Sequence, residues 1–196
     1  MKTPLKGFPT RCKDIPLPTD GPWFEAAKKA FQALKAGGIV VLYGDRGTGK
    51  TFMAYDLAQQ AFEFSDPLFP SDEFTHAKPR PAIYRTAMRV FLEIRDTFRH
   101  GSEKSELELM DEFSEAALLV IDEVQERGER AFEDQKLTVI IDARYQHCRP
   151  TLIIGNYATK AEFSASVSPS ILSRMQEGGG AIHCAWPSYR ANPPKA

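Results

Sequence analysis

Residues Gly44 to Thr51 read Gly-Asp-Arg-Gly-Thr-Gly-Lys-Thr and fit the pattern G-x-x-x-x-G-K-[ST]. The apolar run Ile39-Val40-Val41-Leu42-Tyr43 precedes them and the helix-compatible Phe52-Met53-Ala54-Tyr55-Asp56-Leu57-Ala58 follows. Strand, glycine-rich loop and helix in that order are required before such a pattern means anything. Gly44, Gly47 and Gly49 let the backbone of Asp45, Arg46 and Thr48 turn its N–H groups inward, and the helix beginning near Lys50 adds the positive end of its dipole. The segment is therefore a seat for phosphates. Lys50 supplies a point charge for β- and γ-phosphates, and the Thr51 hydroxyl suits Mg²⁺, a cation that keeps most of its waters.

Two further apolar runs fix the fold class. Ala117-Leu118-Leu119-Val120-Ile121 and Thr151-Leu152-Ile153-Ile154 lack the polar alternation of a half-exposed strand, so both belong to strands buried on two faces. The first ends in Asp122-Glu123 and the second in Gly155-Asn156. A short run, Ala82 to Thr86, and a last one, Ala181 to Ala185, bring the expected strands to five, alternating with helices. Such alternation predicts an α/β fold with a mostly parallel sheet flanked by helices, and ligands collect at the carboxyl ends of its strands. Asp122 then stands where a metal-side acid is needed, and Glu123 where a carboxylate can polarise an attacking water. Asn156 is an amide placed to touch the γ-phosphate or that water.

The remaining chain supplies context. Residues 1–22 carry five prolines, which predicts an extended arm, and apolar positions 23, 24, 27, 30, 31 and 34 predict a helix closed by Gly37-Gly38. Residues 65–81 carry four prolines among polar residues and read as a surface loop. A helix is expected from about Glu133 to Gln146, and another after Ser168-Pro169, a capping serine and a proline in the first turn. The net charge of −1 argues against a protein that coats nucleic acid generally, yet it hides a segregation. From Lys78 to His100 there are six Lys or Arg against two Asp or Glu, whereas from Gly101 to Asp134 there are three against twelve. At helical spacing Ala87, Val90, Phe91, Ile94 and Phe98 share one side, and Arg89, Arg95 and Arg99 share the other, a face able to follow a nucleic-acid backbone. Cys12, Cys148 and Cys184 have no metal-ligand spacing and read as free thiols. The start has no signal-peptide core and no run approaches 18 apolar residues, so a cytoplasmic protein without membrane partners is expected.

Taken together, the segments at 44–51, 118–123 and 152–156, with Ser173-Arg174-Met175 and Trp186-Pro187-Ser188-Tyr189-Arg190, resemble the AAA+ core of DnaC-type replicative helicase loaders. The resemblance covers nearly all of residues 36–190. It implies an AAA+ ATPase of P-loop type, using ATP and Mg²⁺, that loads or remodels a replicative helicase on single-stranded DNA. It implies Asn156 as sensor I and Arg174 as an arginine finger that completes the ATP site of a neighbouring subunit in a homo-oligomer. The helices at about 87–113 would be the insertion that faces single-stranded DNA.

Loaders of this family carry an amino-terminal domain that grips the helicase, whereas only about 35 residues, an arm and one helix, precede the first strand here. With only a tail at 191–196 after Arg190, no carboxyl-terminal lid domain is expected, as in similar loaders. Both features suit a compact loader of phage or prophage type. Two other classes share the phosphate loop: a regulator of insertion-sequence transposition similar to IstB, which acts on duplex DNA, and a small-molecule kinase. Trp186 to Arg190 favours the loader over the first, and Glu123 with Asn156 favours water over the second's acceptor.

Overall fold

The computed structural model describes residues 3–13, 15–64, 80–126 and 130–189. Most of the 65–81 loop, Arg190 and the 191–196 tail lie outside the described residues. Six parallel strands form one sheet: β1 (Leu5–Lys6), β2 (Ile39–Tyr43), β3 (Ala82–Thr86), β4 (Leu118–Asp122), β5 (Thr151–Gly155) and β6 (Gly180–His183), in the spatial order β1-β3-β4-β5-β2-β6. The α/β expectation with five strands is met, with one addition. A two-residue edge strand from the proline-rich arm pairs Leu5 with Ala82, and the Ala82 amide donates to the Pro4 carbonyl at 2.8 Å. So short a strand leaves no period-2 signature, because it is recruited by backbone groups rather than by its side chains.

Period-2 alternation sorts the central strands into two cores. Ile39, Val41, Leu119, Ile121 and Ile153 point to one, shared with α3 (Ala87–Asp96), α4 (Glu106–Glu115), α5 (Arg130–Gln146), α6 (Lys160–Ser166) and α7 (Pro169–Gly178). Val40, Leu42, Leu118, Val120, Leu152 and Ile154 point to the other, shared with α1 (Gly21–Lys35) and α2 (Lys50–Gln59). The helix starts follow local chemistry. Ser105 and Glu108 make a reciprocal capping box for α4, Thr86 caps α3 and Ser168 caps α7. Arg144 of α5 is fully buried and donates to the carbonyls of Phe113, Ser114, Ala116 and Pro150, which ties the end of α4 to the start of β5. Among the described residues no helix is long and apolar enough to cross a membrane.

Because β5 lies between β4 and β2, the carboxyl ends of these three strands are neighbours. The register places Ile121 beside Ile153 and Tyr43 beside Gly155, so Gly44, Asp122 and Asn156 emerge at one end of the sheet.

Candidate nucleotide site

The loop after β2 keeps its shape through its carbonyls. The indole N–H of Trp186 donates to Thr48 O at 2.7 Å, the Tyr189 amide to Gly47 O at 2.9 Å, and the Trp23 indole to Gly49 O at 3.4 Å. With the carbonyl side satisfied, the amide side is the one available to an anion. Gly49 has φ of 82°, and a Cβ there would come within 3.0 Å of Trp23 and 3.1 Å of Tyr189, so geometry and space both require glycine. Trp186 and Tyr189 belong to the Trp-Pro-Ser-Tyr segment, which thus clamps the loop; Arg190 lies outside the described residues.

Lys50 is buried, and its ammonium donates to Gly44 O at 2.9 Å, Asp45 O at 2.7 Å and Thr48 Oγ1 at 3.3 Å. Burial pulls its pKa below the ordinary lysine value, against the pull of nearby Asp122 and Asp45. Asp122 is 4% exposed and fully engaged. Its Oδ2 accepts from Thr51 Oγ1 at 2.8 Å and from the Tyr84 hydroxyl at 2.8 Å, while Oδ1 accepts from the Glu123 amide at 2.7 Å. Burial, and then the Asp122 charge, push the Tyr84 phenol well above its usual range, so it remains a donor at neutral pH.

Glu123 is exposed and stands in the left-handed region at φ of 56°, a conformation that costs a non-glycine residue free energy and collects at functional sites. Three bonds hold this turn: the Glu123 amide to Asp122, Val124 N to Ile154 O at 3.2 Å, and Glu126 N to Glu123 O at 2.9 Å. The Asn156 backbone N–H donates to Gln125 Oε1 at 3.0 Å, which ties the end of β5 to the same turn. Arg46 reaches across the rim to Glu126 at 3.0 Å.

These residues line a cleft of about 500 Å³ that includes Lys50, Thr51, Asp122, Glu123 and Asn156. Arg46, Gly47 and Gly49 of the expected phosphate loop line it too, together with residues that sequence reasoning did not assign to the site: Arg11 and Ile15 to Pro18 of the arm, Trp23 of α1 and Tyr84 of β3; Tyr189, read only as part of a family segment, also faces it. Prolines signalled an extended arm, but nothing in its pattern said where it docks. Tyr84 sat within a short β-compatible run with no sign that its hydroxyl had work.

The other predicted site residues lie elsewhere. Arg174 on α7 does not line the cleft; it pairs with Asp142 at 2.9 Å, bonds Ser170, and stacks its guanidinium 5.4 Å from the Tyr145 ring. On and just after α3, Arg89 pairs with Glu93 at 2.6 Å, Arg99 with Asp96 at 3.1 Å, and Arg95 lies 5.6 Å above the Phe132 ring. The helix ends at Asp96, so only Arg89 and Arg95 share a face of α3; Arg99 and Phe98 follow it, and Phe98 is exposed rather than part of the buried side that the spacing predicts. For a metal, no group of three or more His, Cys, Asp or Glu forms among the described residues. One buried carboxylate and one hydroxyl, Asp122 and Thr51, fit Mg²⁺, which is bound through few protein oxygens together with phosphates and water.

No family model matches the chain. It is 26% identical over 152 residues to the replicative helicase loader DnaC of Escherichia coli K12, an alignment covering 77% of this chain and 56% of that protein. The chain thus spans little more than half the length of the curated relatives it matches. Its fold is similar to the crystal structure of the DnaC helicase loader, with a TM-score of 0.65 at 15% identity over 89% of this chain and 99% of that one. It is also similar to DnaI, with a TM-score of 0.60 at 17% identity over 90% and 88% of the two chains. The replication initiator DnaA, solved with AMPPCP and single-stranded DNA, gives 0.61 at 19% identity over 82% of this chain and 44% of that one. The fold is that of AAA+ P-loop ATPases, and the resemblance to DnaC-type loaders drawn from the motifs holds in sequence and in fold.

Proposed function

We propose, from the premise of a DnaC-like AAA+ core, that the chain is an ATP-hydrolysing replication accessory protein that acts on a replicative helicase at single-stranded DNA. ATP occupies the cleft at residues 44–51, with the loop amides and Lys50 on its phosphates. Lys50 then exchanges the carbonyls of Gly44 and Asp45 for phosphate oxygens. Thr51 and Asp122 would hold Mg²⁺, which would supply positive charge against the phosphates. Glu123 accepts a proton from the attacking water as that water's oxygen bonds the γ-phosphorus and the bond to the ADP oxygen breaks. Asn156, joined to the Glu123 turn through Gln125, contacts the γ-phosphate or the water.

Arg174 serves the cleft of a neighbouring copy rather than its own, in line with its place outside the cleft of the chain that carries it. Hydrolysis therefore depends on a homo-oligomer. Arg89, Arg95 and Arg99 contact the DNA backbone, and the helices at 87–113 act as the DNA-facing insertion of a core at 36–190, in the cytoplasm. The observation that carries this reading is the engagement of Thr51 with Asp122 at 2.8 Å beneath a glycine loop, with Glu123 lining the same cleft.

The test is ATP turnover with and without single-stranded DNA, across protein concentrations spanning assembly. Turnover that rises with both supports the reading. Turnover indifferent to both overturns the assembled, DNA-linked site, and stimulation by duplex over single strands transfers the protein to the transposition-regulator class.

A further inference from the structure

We infer that Tyr84 is a positioning residue for Asp122, and that the amino-terminal arm holds it there through Phe8. The inference deepens the nucleotide site proposed above and rests on that reading. Tyr84 pairs with Val120 across the β3–β4 ladder, so Asp122, two residues on, lies on the same face one diagonal step away. A diagonal neighbour is within reach of a long aromatic side chain, and the Tyr84 hydroxyl meets Asp122 Oδ2 at 2.8 Å. The ring is buried and leans on Phe8 with centroids 5.2 Å apart; Phe8 in turn meets Tyr55 of α2 edge-on at 5.7 Å. Phe8 follows β1, so the pairing of Leu5 and Lys6 with β3 fixes the aromatic that fixes the tyrosine.

Oδ2 of Asp122 takes two hydroxyl donors, and they differ in what they can do next. Thr51 lies in the phosphate loop's helix, where its hydroxyl now meets Asp122, and it would turn toward the cation on binding of nucleotide and Mg²⁺. Tyr84 sits on a strand with its ring packed, so it keeps its bond through that exchange. It is then the side-chain donor that keeps the Asp122 carboxylate in one plane. Groups that hydrogen-bond a metal-side carboxylate commonly carry about 10–100-fold in metal affinity. Filling space does not account for the residue, because phenylalanine would fill the same volume without burying a hydroxyl.

The test compares wild type with Tyr84→Phe, which keeps the ring on Phe8, and with Phe8→Leu, which keeps the hydroxyl but loosens the ring. A fluorescent ATP analogue is titrated in EDTA and then across Mg²⁺ concentrations. The expected result for Tyr84→Phe is unchanged affinity in EDTA and about a tenfold rise in the Mg²⁺ needed for half-maximal tightening, with a smaller rise for Phe8→Leu. Mg²⁺ curves that superimpose on wild type in both variants overturn the assignment. So does an equal loss in EDTA and in Mg²⁺, which makes Tyr84 a packing residue only. A wild type that binds no nucleotide removes the nucleotide site itself, whereas a wild type responsive to Mg²⁺ beside an unaltered Tyr84→Phe removes this inference alone.

Discussion

The cleft at the ends of β2, β4 and β5 and the arginine face of α3 are both rich in charge, and they hold it in opposite ways. Asp122 is 4% exposed and meets three donors within 2.8 Å, from three different segments of the chain. The Arg89 and Arg99 side chains are 64% and 82% exposed; Arg89 pairs with Glu93 four residues on in α3, and Arg99, just beyond the end of α3, pairs back with Asp96. A buried, multiply bonded carboxylate has one geometry, and loss of a donor leaves a desolvated charge. An exposed pair at this spacing is worth about 0.3–0.5 kcal/mol, so Asp96 gives up Arg99 to a phosphate at small cost, and Glu93, which keeps Arg85, can release Arg89. The first arrangement suits one chemical step; the second suits a backbone gripped at any sequence and then released.

The sharpest way to break this contrast is to remove the chemistry of the cleft. Glu123→Gln is expected to leave ATP affinity within about twofold and to lower turnover by about 10²–10⁴. Arg174→Ala is expected to lower turnover by about 10³, with nucleotide binding intact. Under the proposed reading the two residues serve one site from different subunits, so mixing the two inactive variants in one assembly should restore part of the turnover, at sites that pair an intact Glu123 with an intact Arg174. Single-turnover hydrolysis of the mixture measures this. No restoration at any mixing ratio would place Arg174 in its structural pairing with Asp142 alone.

The arginine face should respond by degrees. Substituting Arg89, Arg95 and Arg99 by alanine together is expected to weaken single-stranded DNA binding at low salt. The slope of log affinity against log salt should fall by about 2, at about 0.7 per phosphate contact on single strands. Fluorescence anisotropy across a salt series checks it, and an unchanged slope would return the three arginines to their partners Glu93, Asp96 and Phe132.

The same contrast explains what was legible in the chain. β2, β4 and β5 could be read because strands buried on both faces lack polar alternation. Asp122, Glu123 and Asn156 could be placed because a parallel sheet collects such residues at one end. Tyr84 could not, since its partner is on a neighbouring strand and the register that joins them is a tertiary fact. The arm was legible as extended, but docking of Leu17 and Pro18 in the cleft leaves no periodic trace. For Arg174 the helix was readable, and its Asp142 partner, 32 positions earlier on α5, was not.

Among the described residues two non-glycine residues stand in the left-handed region, and they make the smallest test of the comparison: Glu123 in the cleft and Cys148 outside it. Cys148 closes α5. Its amide donates to Tyr145 O at 3.0 Å and the Arg149 amide to Arg144 O at 2.8 Å, the paired bonds of a helix end that usually carries glycine at this position. Left-handed strain of about 1 kcal/mol is relieved by glycine and partly offset by the entropy glycine adds to the unfolded chain. Both Cys148→Gly and Glu123→Gly should therefore raise the melting temperature by about 1–3 °C in calorimetry. Only Glu123→Gly should abolish turnover, because strain at a helix end is a cost of the turn, whereas strain at residue 123 holds a carboxylate in the cleft. Glu123→Gly keeps the backbone bonds from Glu126 and to Asp122, so if it melts lower than the parent, the glutamate side chain and the chain entropy that glycine adds outweigh the strain relieved, and the cleft is not where this fold gives up stability for chemistry.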